Sequence, residues 1–502
     1  MEKNEIIPTI YIENIRCKIT GIPPQVANLL SKELAVKVPN YWFSAKFKAG
    51  QWDGTQKFFL RPANTFPTGL LPQVSEFLQE NFDIIPQVVD RRMGVEQYLL
   101  SEISENYEIS DTKTARDYQV DTVNKLIKNK VLGVPFTRGV VNIATNGGKT
   151  SIAIAFIKEL YPKLVANNTT FLFVTHSKEI ARQAKKAIED DLGIQVGFIG
   201  DGKWQMEPVT IAIVTTLYRR MKTNEFKELA TNTIGFVGDE VHHSSSTSWY
   251  EVFSNLPNAL IRIGLTGTVD KTNPVNEMRL YSCTSKIINK ISNDYLIEKG
   301  FSAKPICILF TVTTPELESE TYSDAYNLGI VESEERLDYI TQICEKETDS
   351  GNVVLILVEH IEHGQIIEEE LQKLNKRVFF TNGSLTSEVR QELLDNLKLG
   401  KIDVLISTAI LDEGVDVSNI NAVIYARGMK STRKLLQGLG RGLRKKSDGS
   451  KLRFYDFIDD MNSSLLYHSL NRYQVLKAEK FVIKSLKIED YRKMTWEEIE
   501  SE

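Results

Sequence analysis

The chain has 502 residues, 42% of them hydrophobic and 25% charged, with a formal net charge of −5. That length exceeds what one hydrophobic core serves and predicts about three domains, while the balance argues against a disordered or disulfide-framed chain. No secretory core follows Met1 and no apolar run approaches the roughly 20 residues that span a bilayer, so no membrane partner and a cytoplasmic location are expected.

Residues 1–105 carry the hydrophobic stretches "IPTIYIENIRCKI", "YWFSAKF" and "QKFFLR", separated by turn-rich "GIPP", "AGQWDG" and "RPANTFPTG". This pattern predicts a small α/β accessory domain. A polar stretch, "SEISENYEISDTKTARDYQ", leads into residues 106–300, where the helical pattern "YQVDTVNKLIKNK" and the helix "KTSIAIAFIKELY" alternate with the apolar runs "GVVNIA", "TTFLFVT", "VTIAIVT", "TIGFVGD" and "LIRIGLTGT". Strands alternating with helices predict a parallel sheet covered on both faces. The grammar restarts over 301–470 with "NVVLILV", "RVFFT", "DVLIST", "AVIYA" and "KLRFYDF", and residues 471–502 read as a charged, helical closing segment. The fold class is α/β, with two tandem parallel-sheet domains behind the accessory domain.

Charge is unevenly spread. Residues 427–453 are basic with Asp448 as the one acid, and 315–350 are strongly acidic; the acidic segment is expected to be a solvated face. Cys17, Cys283, Cys307 and Cys344 lack paired spacing and are expected as buried reduced thiols. The neighbours His242 and His243 would point in opposite directions on a strand end, so no zinc site is predicted there.

Three constellations carry chemistry. "GVVNIATNGGKTSIAIAF" is a strand, a loop and a helix start; such a junction offers free N–H groups and the positive end of a helix dipole to a phosphate. Asn146, Gly147 and Gly148 line that loop, Lys149 is placed to reach β/γ-phosphates, and Thr150 to ligate Mg²⁺. Ile143 stands where the phosphate-loop pattern has its leading glycine. Asp239 and Glu240 end another apolar strand, as needed for one carboxylate on a metal and a second on water. In the second α/β region Arg441 and Arg444 sit three apart on a predicted helix, suited to neutralise charge on a transferred phosphoryl group.

These motifs, in this order, resemble the superfamily-two helicases and translocases, whose two motor domains are RecA-like; the resemblance covers roughly 110–460. It implies adenine contact from Arg116 and Gln119 in "RDYQ", ATP and Mg²⁺ at "NGGKT" and "DEVH", and coupling of hydrolysis to movement by Thr266, Gly267 and Thr268. It further implies nucleotide contacts from Gly414 and Asp416 in "STAILDEGVDVSNI" and catalytic roles for Gln437, Arg441 and Arg444 in "QGLGRGLR", with Gly440 in the same motif. Asn146 and Gly438 depart from the residues common in the family. Loops "VTHSK" and "VTTLYRR" lie where the family touches the sugar-phosphate backbone, nominating Thr175, His176, Thr215 and Thr216, with Thr408 in the second domain and Arg219 and Arg220 as weaker candidates.

The segment "YWFSAKFKAGQWDGTQKFFLR" resembles the accessory stretch of the UvsW-type helicases of tailed phages. Trp42, Phe43, Trp52 and Phe58 are expected mostly as core aromatics behind a basic, duplex-facing edge, with Lys46, Lys48 and Trp52 as candidate nucleic-acid contacts. The implied activity is a monomeric ATP-dependent DNA helicase, moving 3′ to 5′ on branched or forked DNA in replication and recombination, in a host cytoplasm if phage-encoded. Alternatives are an RNA helicase, a restriction-type duplex translocase, or a nucleotide-gated clamp that does not unwind.

Overall fold

Runs such as Thr170–Thr175 and Val209–Ile213 show no polar alternation because helices cover both faces of the strand, and every residue in them is buried. The computed structural model describes residues 7–144, 146–241, 247–267, 273–302, 304–314, 317, 321–408, 420–429, 435 and 451–501. Apart from residues 145–147, the chain falls into two units that meet in sequence at Ile291 and Ser292.

In the first unit, strands Lys203–Gln205, Gly197–Gly200, Val209–Ile213, Thr170–Thr175, Thr233–Asp239, Ile261–Thr266, Arg138–Ile143 and Ile287–Ile291 lie side by side in that order. All neighbours are parallel except the hairpin at 197–205, a feature that the sequence pattern passed over. The accessory region adds a four-stranded sheet in the order Thr65–Pro67, Arg16–Thr20, Thr9–Ile12, Gln87–Asp90. One continuous core joins it to the large sheet, from Ile10, Phe59 and Leu71 to Phe136, Phe236 and Trp249. The helix Pro274–Cys283 is the seam: Ser285 Oγ donates to the Gly69 carbonyl at 2.9 Å, and a Cβ on Gly69 would lie 2.0 Å from the Tyr281 carbonyl oxygen. All four cysteines are buried, and burial pushes the thiols of Cys17 and Cys283 up to about 11.

The second unit is a seven-stranded parallel sheet in the order Val378–Thr381, Val404–Ser407, Val353–Leu357, Ile420–Tyr425, Arg453–Asp459, Ile306–Val312, Val482–Ser485. The closing segment is therefore not all helix. After the helix Ser463–Ala478 the chain returns as an edge strand on Ile306–Val312 and then makes two short helices, Ile488–Lys493 and Trp496–Glu500.

The acidic segment also departs from a solvated face. Its helix Glu334–Asp349 buries Arg336, Ile340, Ile343, Cys344 and Glu347, and Glu347 accepts from the Arg453 guanidinium at 2.7 and 2.8 Å. Negative composition concealed one apolar face and one paired carboxylate. At the ends of the strands Arg336 pairs with Asp459, and Arg472 donates to Asp456 at 2.8 Å, all four side chains being at most 2% exposed. Removing one partner of such a pair strands a buried charge, at a cost of about 3–5 kcal/mol. Arg472→Ala should destabilise the second unit by that amount in urea denaturation, whereas Arg377→Ala, which opens an exposed pair with Asp403, should leave the midpoint almost unchanged.

Candidate active site

Parallel register brings three strand ends to one edge of the first sheet. Asn142 lies opposite Thr266, and Leu265 lies opposite Asp239, so the strand end before Ala144, Thr266 and the Asp239–Glu240 pair are neighbours. The helix Lys149–Asn167 starts at that edge, so the positive end of its dipole lies there.

The loop turns through two left-handed residues, Asn146 at φ +69° and Gly148 at φ +73°. At Gly148 the left-handed backbone favours glycine, and a Cβ would also stand 2.3 Å from Gln119 Nε2 and push that amide aside. Gln119 is 3% exposed and closes a capping box on the helix Asp117–Lys128, its Oε1 accepting from the Arg116 N–H at 2.9 Å. The half-buried Arg116 donates to the Tyr118 hydroxyl at 2.9 Å. The structure thus brings Gln119 against the loop and anchors Arg116 beside it in sequence.

Lys149 forms an ion pair with Glu240, and both side chains are largely buried. Glu240 holds φ +53°, an uncommon conformation for a residue with a side chain, and its N–H donates to Asp239 Oδ1 at 3.0 Å. Burial pushes the Asp239 carboxyl up to about 6; the Lys149 charge opposes that shift, Glu240 adds to it, and His176 opposes it. His176, half-buried, therefore lies within electrostatic reach of the same carboxylate. Thr150 is half-buried in the first helical turn, Gly147 is buried and Asn146 half-buried. Thr266 is fully buried on the middle strand of the three.

Several nucleic-acid candidates change. Thr175 is 0% exposed with its hydroxyl unpaired in the interior, so as placed it cannot touch a phosphate. Thr408, after strand Val404–Ser407, is also buried. "VTTLYRR" is not a loop but the helix Val214–Arg220, because Val214 and Leu217, three apart, bury one face; Thr215 is exposed and Thr216 half-buried on its first turn. Its Arg220 guanidinium lies over the Trp204 ring at 5.3 Å. Lys46 and Lys48 are exposed on the short helix Ala45–Lys48.

Among the aromatics Phe58 is buried, but Trp42 and Phe43 are 50% and 72% exposed, contrary to their expected core role. Trp52 is half-buried and its indole donates to the Thr55 carbonyl at 2.7 Å, which makes it a brace for the turn. Arg427, passed over in the sequence, is fully buried at the edge of the second sheet; it donates to the Val358 carbonyl at 3.0 Å and faces Glu359 at 3.6 Å. Its signal was a charge immediately after an apolar strand. Thr268, His242, His243, Gly414, Asp416, Gln437, Gly438, Gly440, Arg441, Arg444, Lys445 and Lys446 lie outside the described residues.

Comparison with known proteins points the same way. Residues 112–271 match the family described as the type III restriction enzyme res subunit, and residues 335–446 match the helicase conserved C-terminal domain. The chain belongs to the superfamily-two helicases. It is 24% identical over 479 residues to the ATP-dependent DNA helicase uvsW of Enterobacteria phage T4, a match covering 88% of this chain and 91% of that relative. It is also 24% identical to the DNA 3′-5′ translocase XPB2 of Sulfurisphaera tokodaii, over 67% of this chain and 80% of that one. The fold is shared with Saccharomyces cerevisiae Dbp5 bound to RNA and ADP–BeF3, at TM-score 0.55 and 15% identity over 76% of this chain and 92% of that chain.

The helicase is an ATP-hydrolysing enzyme that acts with nucleic acid. Among its described residues no helix is long and apolar enough to cross a membrane. The crowding at Gly148 yields a test. Gly148→Ala should lower nucleotide affinity at least about tenfold in a fluorescent-nucleotide titration, and cost about 1–2 kcal/mol of stability from the left-handed backbone.

Proposed function

We propose that this helicase works on DNA and remodels branched forms of it, regressing forks and migrating junctions, with movement 3′ to 5′. The observation that carries the ATP-hydrolysing part of the reading is the Lys149–Glu240 pair beside Asp239, a phosphate-reaching ammonium held against the carboxylate that hydrolysis needs. A bound γ-phosphate would compete for Lys149 and release Glu240 to orient and deprotonate water. Asp239 and Thr150 supply the hard oxygen donors that suit Mg²⁺, and a buried carboxylate whose ionisation is suppressed gains from a nearby cation. When bound, that ion would neutralise phosphate charge. Gln437, Arg441 and Arg444 are assigned to the transition state, Gly414 and Asp416 to nucleotide contact, Arg116 and Gln119 to the adenine, and Thr266 and Thr268 to coupling.

Support for DNA comes from the relative named an ATP-dependent DNA helicase, matched along 91% of its length, and for polarity from the relative named a 3′-5′ translocase. Residues 1–105 would serve as the accessory DNA-binding domain, 106–300 and 301–470 as the two motor domains, and 471–502 as a closing segment; the enzyme would act as a monomer in the cytoplasm. On the first motor domain His176, Thr215 and Thr216 remain the candidates for the sugar-phosphate backbone, and Lys46 and Lys48 for the accessory edge. A second reading, translocation on intact duplex, is favoured by the restriction-subunit description of the first family match.

The test compares ATP hydrolysis stimulated by forked DNA, linear duplex, single-stranded DNA and RNA. Forked DNA should stimulate most, and Lys149→Ala should abolish turnover on every substrate. Equal or greater stimulation by RNA would overturn the DNA assignment, a preference for linear duplex would favour the second reading, and turnover retained without Lys149 would remove the site.

A further inference from the structure

Strands Ala35–Lys37 and Thr55–Lys57 pair antiparallel into a ribbon, and residues 38–54 form its tip. The tip is tightly built. Asn40 at φ +58° turns the chain into a helical turn at Tyr41–Phe43, and Gly54 at φ +78° closes the other side. A Cβ on Gly54 would lie 2.4 Å from the Tyr41 ring, so glycine lets that ring pack against the backbone there. Tyr41 meets Trp42 and Phe47 edge-on, with centroids at 5.2 and 4.7 Å. The Lys37 ammonium lies 4.7 Å from the Tyr41 centroid and donates to the Asp53 carbonyl at 2.7 Å. Tyr41 is half-buried against the tip, while its neighbours Trp42 and Phe43 face water.

We propose that Trp42 and Phe43 form a wedge that stacks on the bases at the mouth of a nucleic-acid duplex and parts the strands, with Lys46 and Lys48 on the flanking phosphates. The proposal rests on the nucleic-acid reading above. Flat rings accept any base face, which suits a motor that must not select sequence. The charge fits: from Lys37 to Lys57 the segment holds four lysines and one acid, Asp53, whose carboxylate is engaged by Thr55 and Lys57. A protein interface would be expected to be poor in lysine. The ribbon is also fixed to the motor body, as a wedge must be. Arg279, on the helix Pro274–Cys283, donates to Gln56 Oε1 at 3.2 Å, and the same helix carries the Gly69 seam. Movement of the first unit along a strand would carry the tip with it.

The test uses the full chain with Trp42→Ala and Phe43→Ala together, changes at exposed positions that keep the Tyr41 contacts with Phe47 and Lys37. A fork carrying 2-aminopurine at its first base pair reports stacking, strand separation reports the wedge, and single-stranded DNA reports the motor alone. The double variant should lose the 2-aminopurine response and separate the fork at least about tenfold more slowly, while hydrolysis stimulated by single-stranded DNA changes less than about twofold. Trp42→Phe with Phe43→Tyr should restore separation. Separation within twofold of the unmodified chain would overturn the proposal and leave the exposed pair to a protein partner. A parallel loss of hydrolysis on single-stranded DNA would overturn it in favour of general binding. No stimulation of the unmodified chain by any nucleic acid would remove the underlying reading, and the wedge with it.

Discussion

Parallel strands all end at the same edge of their sheet, and in the first unit this rule places the strand end before Ala144, Thr266 and the Asp239–Glu240 pair within one short row. The chemistry proposed for Lys149, Asp239 and Glu240 depends on that row. Were Arg138–Ile143 or Thr233–Asp239 to run the other way, Lys149 and Glu240 would stand at opposite edges and the ion pair between them could not form. The chain sustains this arrangement by burying all seven residues of strand Thr233–Asp239, including the carboxylate at its end. Burial makes Asp239 reluctant to ionise and Lys149 welcome beside it. The site is thus set up for cationic charge, and Lys149 supplies it.

The accessory region is not an appendage strung on a linker. Its core is continuous with that of the first parallel sheet, and its backbone approaches the helix Pro274–Cys283 closely enough to demand glycine at position 69. That helix follows the strand ending in Thr266. The ribbon tip, the seam and the edge that carries Asp239 and Thr266 therefore belong to one unit, which joins the exposed aromatic pair to it. In the second unit the corresponding firmness comes from buried charge: Arg336, Arg472, Asp456 and Asp459 tie strand Arg453–Asp459 to the helices around it.

Much of this was legible in the sequence. The apolar runs named as strands all occur as strands, because fully buried parallel strands leave an uninterrupted hydrophobic signature. The loop and carboxylate pair were readable because phosphate chemistry constrains residue type and spacing together. Features set by tertiary packing were less visible. Residues 214–220 read as a loop but form a short helix held by two buried residues, and residues 482–485 form an edge strand with little apolar pattern. Trp42 and Phe43 look like core by composition, yet Gly54 lets the Tyr41 ring pack against the ribbon and leaves its two neighbours exposed. Thr175 has a hydroxyl at the right point of the motif, but its position on a strand covered on both sides buries it.

Arg441 is proposed to stabilise the transition state of ATP hydrolysis, and that assignment can be tested alone. The most direct measurement is single-turnover ATP hydrolysis by Arg441→Ala, with nucleotide affinity determined on the same variant. Loss of a transition-state arginine should leave affinity within a few-fold of the unmodified chain and slow the chemical step by about a thousandfold or more. Hydrolysis at the unmodified rate would contradict that assignment.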